Sequence, residues 1–273
     1  MTSRQALCAL CLSEAPLRRS HLIPKALFRM CRLDTAANPN PVVMGEKRPH
    51  LTSYQPVRSL LCALCEQRLS SNGETYVVGG CYRPDGSFPI RDTLRSSIPH
   101  AMVGRDPFYY GTQIRDLDVE ALRFFAASVF WRASVTTWSV PAGGPLKNTL
   151  AKYDEPFRRF LLQKSPFPAS ARLQAWVSSE DDPPRMVSFP RAQRRAGHHF
   201  HDFYIPGLHF ILVVGGMLPA EIRSAYKVRP DELPIFVTNS RSGGFFQQIV
   251  KELRRTTTDE YQRLIAKARE KAV

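Results

Sequence analysis

Two Cys-x-x-Cys pairs, Cys8/Cys11 and Cys62/Cys65, constrain this chain more than any other feature. Both read Cys-Ala-Leu-Cys. A turn of this kind lets two thiolates meet one ion, and two such turns close a tetrahedral four-cysteine site of the type that holds structural zinc. The competing reading is four buried thiols among apolar neighbours. The identity of the two tetrapeptides favours metal, and a shared ion forces residues 8–11 and 62–65 together. Cys31 and Cys81 lack a paired partner and read as packing residues. Cysteines in knuckles favour metal over disulfides in a reducing cytosol. The first residues show no apolar run of signal-peptide length, so a cytoplasmic location is expected.

Charge narrows the class of partner. Lys and Arg number 38 against 24 Asp and Glu, giving a net charge of +14 and a sequence pI of about 9.9. Such a balance suits a polyanion, nucleic acid first and an anionic membrane surface second. Among nucleic acids DNA is expected ahead of RNA. The alternative is a solvated arginine-rich surface. The longest apolar stretch, residues 205–214, is too short to cross a bilayer and contains His209, so it reads as a buried strand, and no membrane partner is expected. Self-association or an activating partner stays open.

Hydrophobic residues make up 43% of the chain, enough for a core, and the pattern predicts an α+β fold. Residues 1–80 read as one unit bounded by the knuckles, and 81–273 as a larger α+β domain. Within the first unit a helix is predicted after Pro24, over about 25–32, followed by a long loop. Pro84-Asp85-Gly86 reads as a turn with strands on either side. Residues 117–138 are apolar nearly all round, the signature of a central core helix. A second, amphipathic helix is predicted over 150–163, and strands over 173–178, 185–189, 201–205, 208–214 and 235–238. Residues 244–273 read as C-terminal helix, restarting at a Thr257/Glu260 capping box.

The segment Ser20-His21-Leu22-Ile23-Pro24-Lys25 lies between the knuckles. The order Cys8-Ala-Leu-Cys11, Ser20-His21-Leu22-Ile23-Pro24, Cys62-Ala-Leu-Cys65-Glu66 resembles the HNH endonuclease superfamily in its zinc-containing ββα-metal form. Residues 125–134 (Phe-Ala-Ala-Ser-Val-Phe-Trp-Arg-Ala-Ser) are similar to a segment of bacterial HNH-like proteins of this size. The resemblance implies an N-terminal ββα-metal module with zinc at Cys8, Cys11, Cys62 and Cys65. It further implies hydrolysis of a phosphodiester, with His21 as general base, in a role connected with restriction or phage defence. Many such enzymes carry an acidic residue or a second histidine just before the base and a histidine after the second knuckle. Here those positions hold Ser20 and Glu66, and Val57 stands near where a middle asparagine is usual. Glu66 and Glu74 are then the candidate carboxylates for a catalytic Mg²⁺ or Mn²⁺, although Asn72-Gly73 is expected to interrupt the helix between them.

Each of these residues also has a plainer reading. For His21 it is a surface histidine capping a turn, or a spare zinc ligand, and the motif order favours the base. Glu66 suits a helix N-terminus. Arg18, Arg19 and Lys25 are candidate phosphate contacts, or a solvated hairpin surface. Arg132 lies inside the apolar helix, where a charge calls for a carboxylate partner. His199 and His201 fall on one strand face as a possible metal pair, but no third ligand is near, so a basic loop leading into a strand is expected. The alternative to a nuclease is a non-catalytic zinc-knuckle protein that binds nucleic acid.

Overall fold

The computed structural model describes residues 5–32, 40–43, 50–140, 146, 148–195, 198–215, 226, 231–240, 263 and 266. The N-terminal part is a three-stranded antiparallel sheet in the order β1 (Gln5–Leu7), β2 (Glu14–His21), β5 (Val57–Cys62). Between β2 and β5 run α1 (Lys25–Met30) and a two-residue ladder of β3 (Val42–Val43) with β4 (His50–Leu51). From β5 the chain turns directly into α2 (Ala63–Leu69), a π-helical turn at Ser70–Glu74, and α3 (Thr75–Gly80). Two antiparallel strands followed by a helix therefore carry the second knuckle.

Asn72-Gly73 widens this helical run without breaking it, contrary to expectation. A Cβ on Gly73 would meet the backbone N of Phe125 at 2.7 Å, so glycine lets the π-turn lie against another helix. That helix is α5 (Val119–Val135), reached through α4 (Pro89–Arg95), β6 (Ala101–Val103) and β7 (Asp106–Tyr110). The Asp85–Gly86 turn is flanked by α3 and α4, not by strands.

Asp118 caps α5 by accepting from the Ala121 N–H at 2.9 Å. The helix is buried on nearly every side, by the π-turn, by α6 (Asp154–Leu161) and by a seven-stranded sheet. Phe125 and Phe130 meet Phe203 of that sheet with ring centroids 6.0 and 5.0 Å apart. The sheet runs β6-β7-β12-β8-β11-β10-β9, completed by β8 (Ala171–Ser178), β9 (Arg191–Arg195), β10 (His198–Ile205), β11 (Leu208–Val214) and β12 (Pro234–Thr238). Among its described pairings only β12–β8 is parallel.

The predicted strand over 185–189 is not one. Ser188 donates a single backbone bond to Tyr204, at 2.9 Å, and Pro190, which lacks an N–H, precedes the true edge strand β9. The basic stretch expected as a loop is that strand, with Arg195 opposite His198. Of residues 244–273 only Arg263 and Ala266 are described, both helical, so the predicted C-terminal helices lie otherwise outside the described residues.

The α+β class stands. One apolar core contains residues from both sides of position 80, from Leu10 and Leu61 through Phe125 to Phe210. Among the described residues no helix is long and apolar enough to cross a membrane.

Candidate metal centre and the histidine beside it

The first knuckle is the connection between β1 and β2. Cys8 N–H donates to Ser13 O at 3.0 Å, and Leu12 N–H to Cys8 O at 2.9 Å. Leu12 takes a left-handed φ of 61°, which a leucine adopts only where surrounding bonds hold it. The second knuckle is the junction of β5 and α2, with Cys62 in extended backbone and Cys65 in the first helical turn. A bulge between Arg18 and Arg19 on β2 matches Ser59 and Leu61 on β5, leaving Leu60 unpaired. The freed Leu60 carbonyl accepts from Ala9 N–H at 3.1 Å, which seats the first knuckle over the second.

The four sulfurs lie within 4.8 Å of one another. Cys11 and Cys62 Sγ are 3.9 Å apart, close to the edge of about 3.8 Å of a tetrahedron with metal–sulfur bonds of about 2.3 Å. Cys62 N–H points at Cys8 Sγ at 3.3 Å, a backbone donor of the kind that supports a thiolate. Burial pushes the Cys8 and Cys65 thiols up. At Cys11 burial acts in the same direction, but hydrogen bonds from Ser13 and the neighbouring cysteines outweigh it and bring the thiol down to about 6. The donor set fits a metal such as zinc. Among the described residues this is the only group of three or more His, Cys, Asp or Glu ligand atoms that converges. Cys31 and Cys81 lie apart from it, with thiols that burial raises to about 12.

His21 ends β2, opposite Val57. Its imidazole is held below the ordinary 6.5, first by burial, then by the positive charges of Lys25, Arg132 and Arg19, with Glu74 opposing. The neutral ring is therefore the form present at pH 7. Ser20, one residue earlier and fully buried, accepts from Leu61 N–H at 3.2 Å and donates its hydroxyl to the Glu66 carboxylate. Adjacent strand residues point to opposite faces, so Glu66 answers to the Ser20 side of the ribbon and not to the His21 side.

Glu74 is engaged elsewhere. Arg132 donates through Nη2 to Glu74 Oε1 at 2.7 Å and through Nη1 to the His21 carbonyl at 2.8 Å. The carboxylate partner that the sequence demanded for Arg132 is thus Glu74. Glu66 and Glu74, expected together on a divalent ion, hydrogen-bond to Ser20 and Arg132 respectively, and among the described residues they form no group of three ligand atoms with His21.

Arg18 and Arg19 are exposed on β2, and Lys25 is exposed at the start of α1. None of the three has a carboxylate in ion-pair range among the described residues. Two further arginines were not legible as part of this region. Arg158 on α6 donates to the Leu10 carbonyl of the first knuckle at 2.7 Å, and Arg58 on β5 to the Thr137 carbonyl beyond α5 at 2.8 Å. Their targets are backbone carbonyls distant in sequence, which no side-chain pattern announces. His201 is buried against Asn148 Oδ1 at 2.7 Å and shares no metal group with His199 among the described residues. Comparisons with known protein families, with curated proteins and with solved structures find no match.

Proposed function

We propose that this protein binds nucleic acid through a zinc-stapled ββα element and cleaves its phosphodiester backbone, in the manner of HNH-like endonucleases, with His21 as general base. The observation that supports the reading is the β2–β5–α2 frame, which brings the four cysteines together and ends β2 on His21. The resemblance expects an acidic residue or a histidine at position 20 and a histidine at position 66, where this chain has Ser20 and Glu66. Ser20 and Glu66 are in direct contact, on the face of β2 opposite His21. Zinc at Cys8, Cys11, Cys62 and Cys65 holds β2 and α2 in register, a structural task that leaves no open coordination position.

His21 is neutral at pH 7 and accepts a proton from the attacking water. Arg18, Arg19 and Lys25 supply positive charge on the same strand and the helix that follows, and hold phosphates. No step is routed through a second metal, because Glu66, Glu74 and His21 form no common group of ligand atoms among the described residues. That same observation favours a second reading, a zinc-knuckle protein that binds nucleic acid without cutting it.

The test compares wild type, His21→Ala and Glu66→Ala on plasmid, single-stranded DNA and RNA, with and without Mg²⁺ or Mn²⁺. The expected outcome is loss of cleavage by about 10²–10⁴-fold in His21→Ala with binding retained. The acid limb of the wild-type rate profile is expected below pH 6.5, since the His21 imidazole is depressed and the base is lost only as pH falls through that lowered value. Affinity falls steeply with salt as counterions are released. Wild type that binds and never cuts selects the binding reading. Cleavage that survives His21→Ala intact places the catalytic residues elsewhere.

A further inference from the structure

We propose that Arg132 is a positioning residue for His21: its guanidinium, projecting from the central helix α5, fixes the end of β2 by its backbone and ties it to Glu74. The inference rests on the reading of His21 as a base and adds to it the device that aims the base. Arg132 is 1% exposed. Its Nε donates to the Ser128 carbonyl at 3.3 Å, Nη1 to the His21 carbonyl at 2.8 Å, and Nη2 to Glu74 at 2.7 Å and to Ser128 Oγ at 3.3 Å. The helix end that carries it is itself fixed: Trp138 Nε1 donates to the Arg132 carbonyl at 2.8 Å, and Trp138 is fully buried.

Only a planar fork reaches these acceptors at once. A lysine ammonium is a point charge on a flexible stem and does not replace it. Buried ion pairs add little net stability over well-packed apolar residues, so an arginine at a helix position otherwise surrounded by Phe, Val and Trp supplies location more than strength. It also joins three separate elements, the end of β2, the π-turn and α5, at the candidate base. The charges that face His21 are Arg19 on its own strand, Lys25 on α1, Arg132 on α5 and Glu74 on the π-turn.

Arg132→Lys keeps the charge and removes the fork. The measurements are metal content, single-turnover cleavage, affinity for a DNA duplex, and NMR of ¹³C,¹⁵N-labelled His21, reading its carbonyl shift and ring titration. The expected result is native metal content and affinity, a cleavage rate lower by about 10²-fold from a misplaced base, and a displaced His21 carbonyl resonance. Native cleavage with unchanged His21 resonances overturns the proposal. If Arg132→Lys does not fold, the double variant Arg132→Met/Glu74→Gln removes both charges of the pair. An unaltered His21 carbonyl shift in that variant likewise overturns it, and a displaced one supports it. If wild type does not cut nucleic acid, the nuclease reading falls while the His21 resonances still decide whether Arg132 holds that residue in place.

Discussion

At the knuckles the core is built from modest aliphatic side chains, Leu60 and Leu61 on β5, Leu27 on α1, and Leu10, Leu22 and Ile23 in the connections beside β2. Around α5 it is built from Phe124, Phe125, Phe130, Trp131, Trp138, Phe203 and Phe210, stacked between a helix and a seven-stranded sheet. Aromatic side chains bury far more area each, so the sheet end stabilises itself by packing. The knuckle end has fewer such side chains, and four sulfurs placed so that they could hold a metal. The same tetrapeptide shows how little local sequence decides beyond its ligands. Leu10 in the first Cys-Ala-Leu-Cys is 0% exposed, while Leu64 in the second is 77% exposed. One turn closes a hairpin beneath α6 and the other opens a helix that faces solvent.

The largest effect that sharpens this contrast comes from the metal. Metal analysis is expected to find one ion per chain, and Cys62→Ser to lose it. Structural zinc contributes about 10 kcal/mol or more in small zinc-finger peptides. Hydrogen exchange is therefore expected to show β1, β2 and α2 losing protection while β8, β10 and β11 keep theirs. Less than half an equivalent of metal in reduced protein counts against the site. Protection retained at β2 after Cys62→Ser would mean that the shared core suffices and that the two ends do not differ as argued. Cys81→Ser, at a thiol packed near Met30 Sδ at 3.5 Å, is expected to leave metal content unchanged.

A smaller effect separates the two knuckles. Leu10→Ala is expected to cost about 2–5 kcal/mol, as for other fully buried leucines. Leu64→Ala is expected to change stability by no more than about 0.5 kcal/mol. Both variants retain metal, because neither removes a ligand. Urea denaturation with metal quantified in parallel checks this. Equal costs at the two positions would erase the distinction between a knuckle set into the core and one set on the surface.

The parts of this structure legible in the sequence are those with a local cause. Cysteine spacing announced the convergence of Cys8, Cys11, Cys62 and Cys65. The all-round apolarity of 117–138 announced α5, which spans Val119–Val135, and the apolar stretch over 205–214 announced β11 as Leu208–Val214. Arg132 was legible by contradiction, a charge where none belongs, and the class of its partner followed. The rest has distant causes. The π-turn at Ser70–Glu74 exists because Gly73 lies against the Phe125 backbone. The Ser20–Glu66 bond follows from the β2–β5 register, which a bulge sets. The strands expected beside Asp85–Gly86 gave way to α3 and α4, which pack on the core through Val77, Ile90 and Leu94. None of these contacts leaves a periodic trace.

The smallest expected effect tests the sheet end. His201 is 0% exposed, and its Nδ1 meets Asn148 Oδ1 at 2.7 Å, so Nδ1 carries the proton of the neutral ring. Its Nε2 is buried with no hydrogen-bond partner among the described residues. A second proton there would find no acceptor, and burial, followed by the nearby His199, pulls the imidazole down to about 4 from 6.5. The folded state thus binds fewer protons than the unfolded chain between pH 6.5 and about 4, so stability is fully present above pH 6.5 and is lost as pH falls below it. At 1.36 kcal/mol per unit the loss from this one group reaches about 2 kcal/mol at pH 5. Urea midpoints of wild type and His201→Gln at pH 7 and pH 5 isolate it, because the knuckle thiols and all carboxylates are common to both. The variant is expected to be less acid-sensitive by that amount. Equal acid sensitivity would mean that His201 is protonated within the core, and that the sheet end is not the dry, packing-held half that its aromatic composition implies.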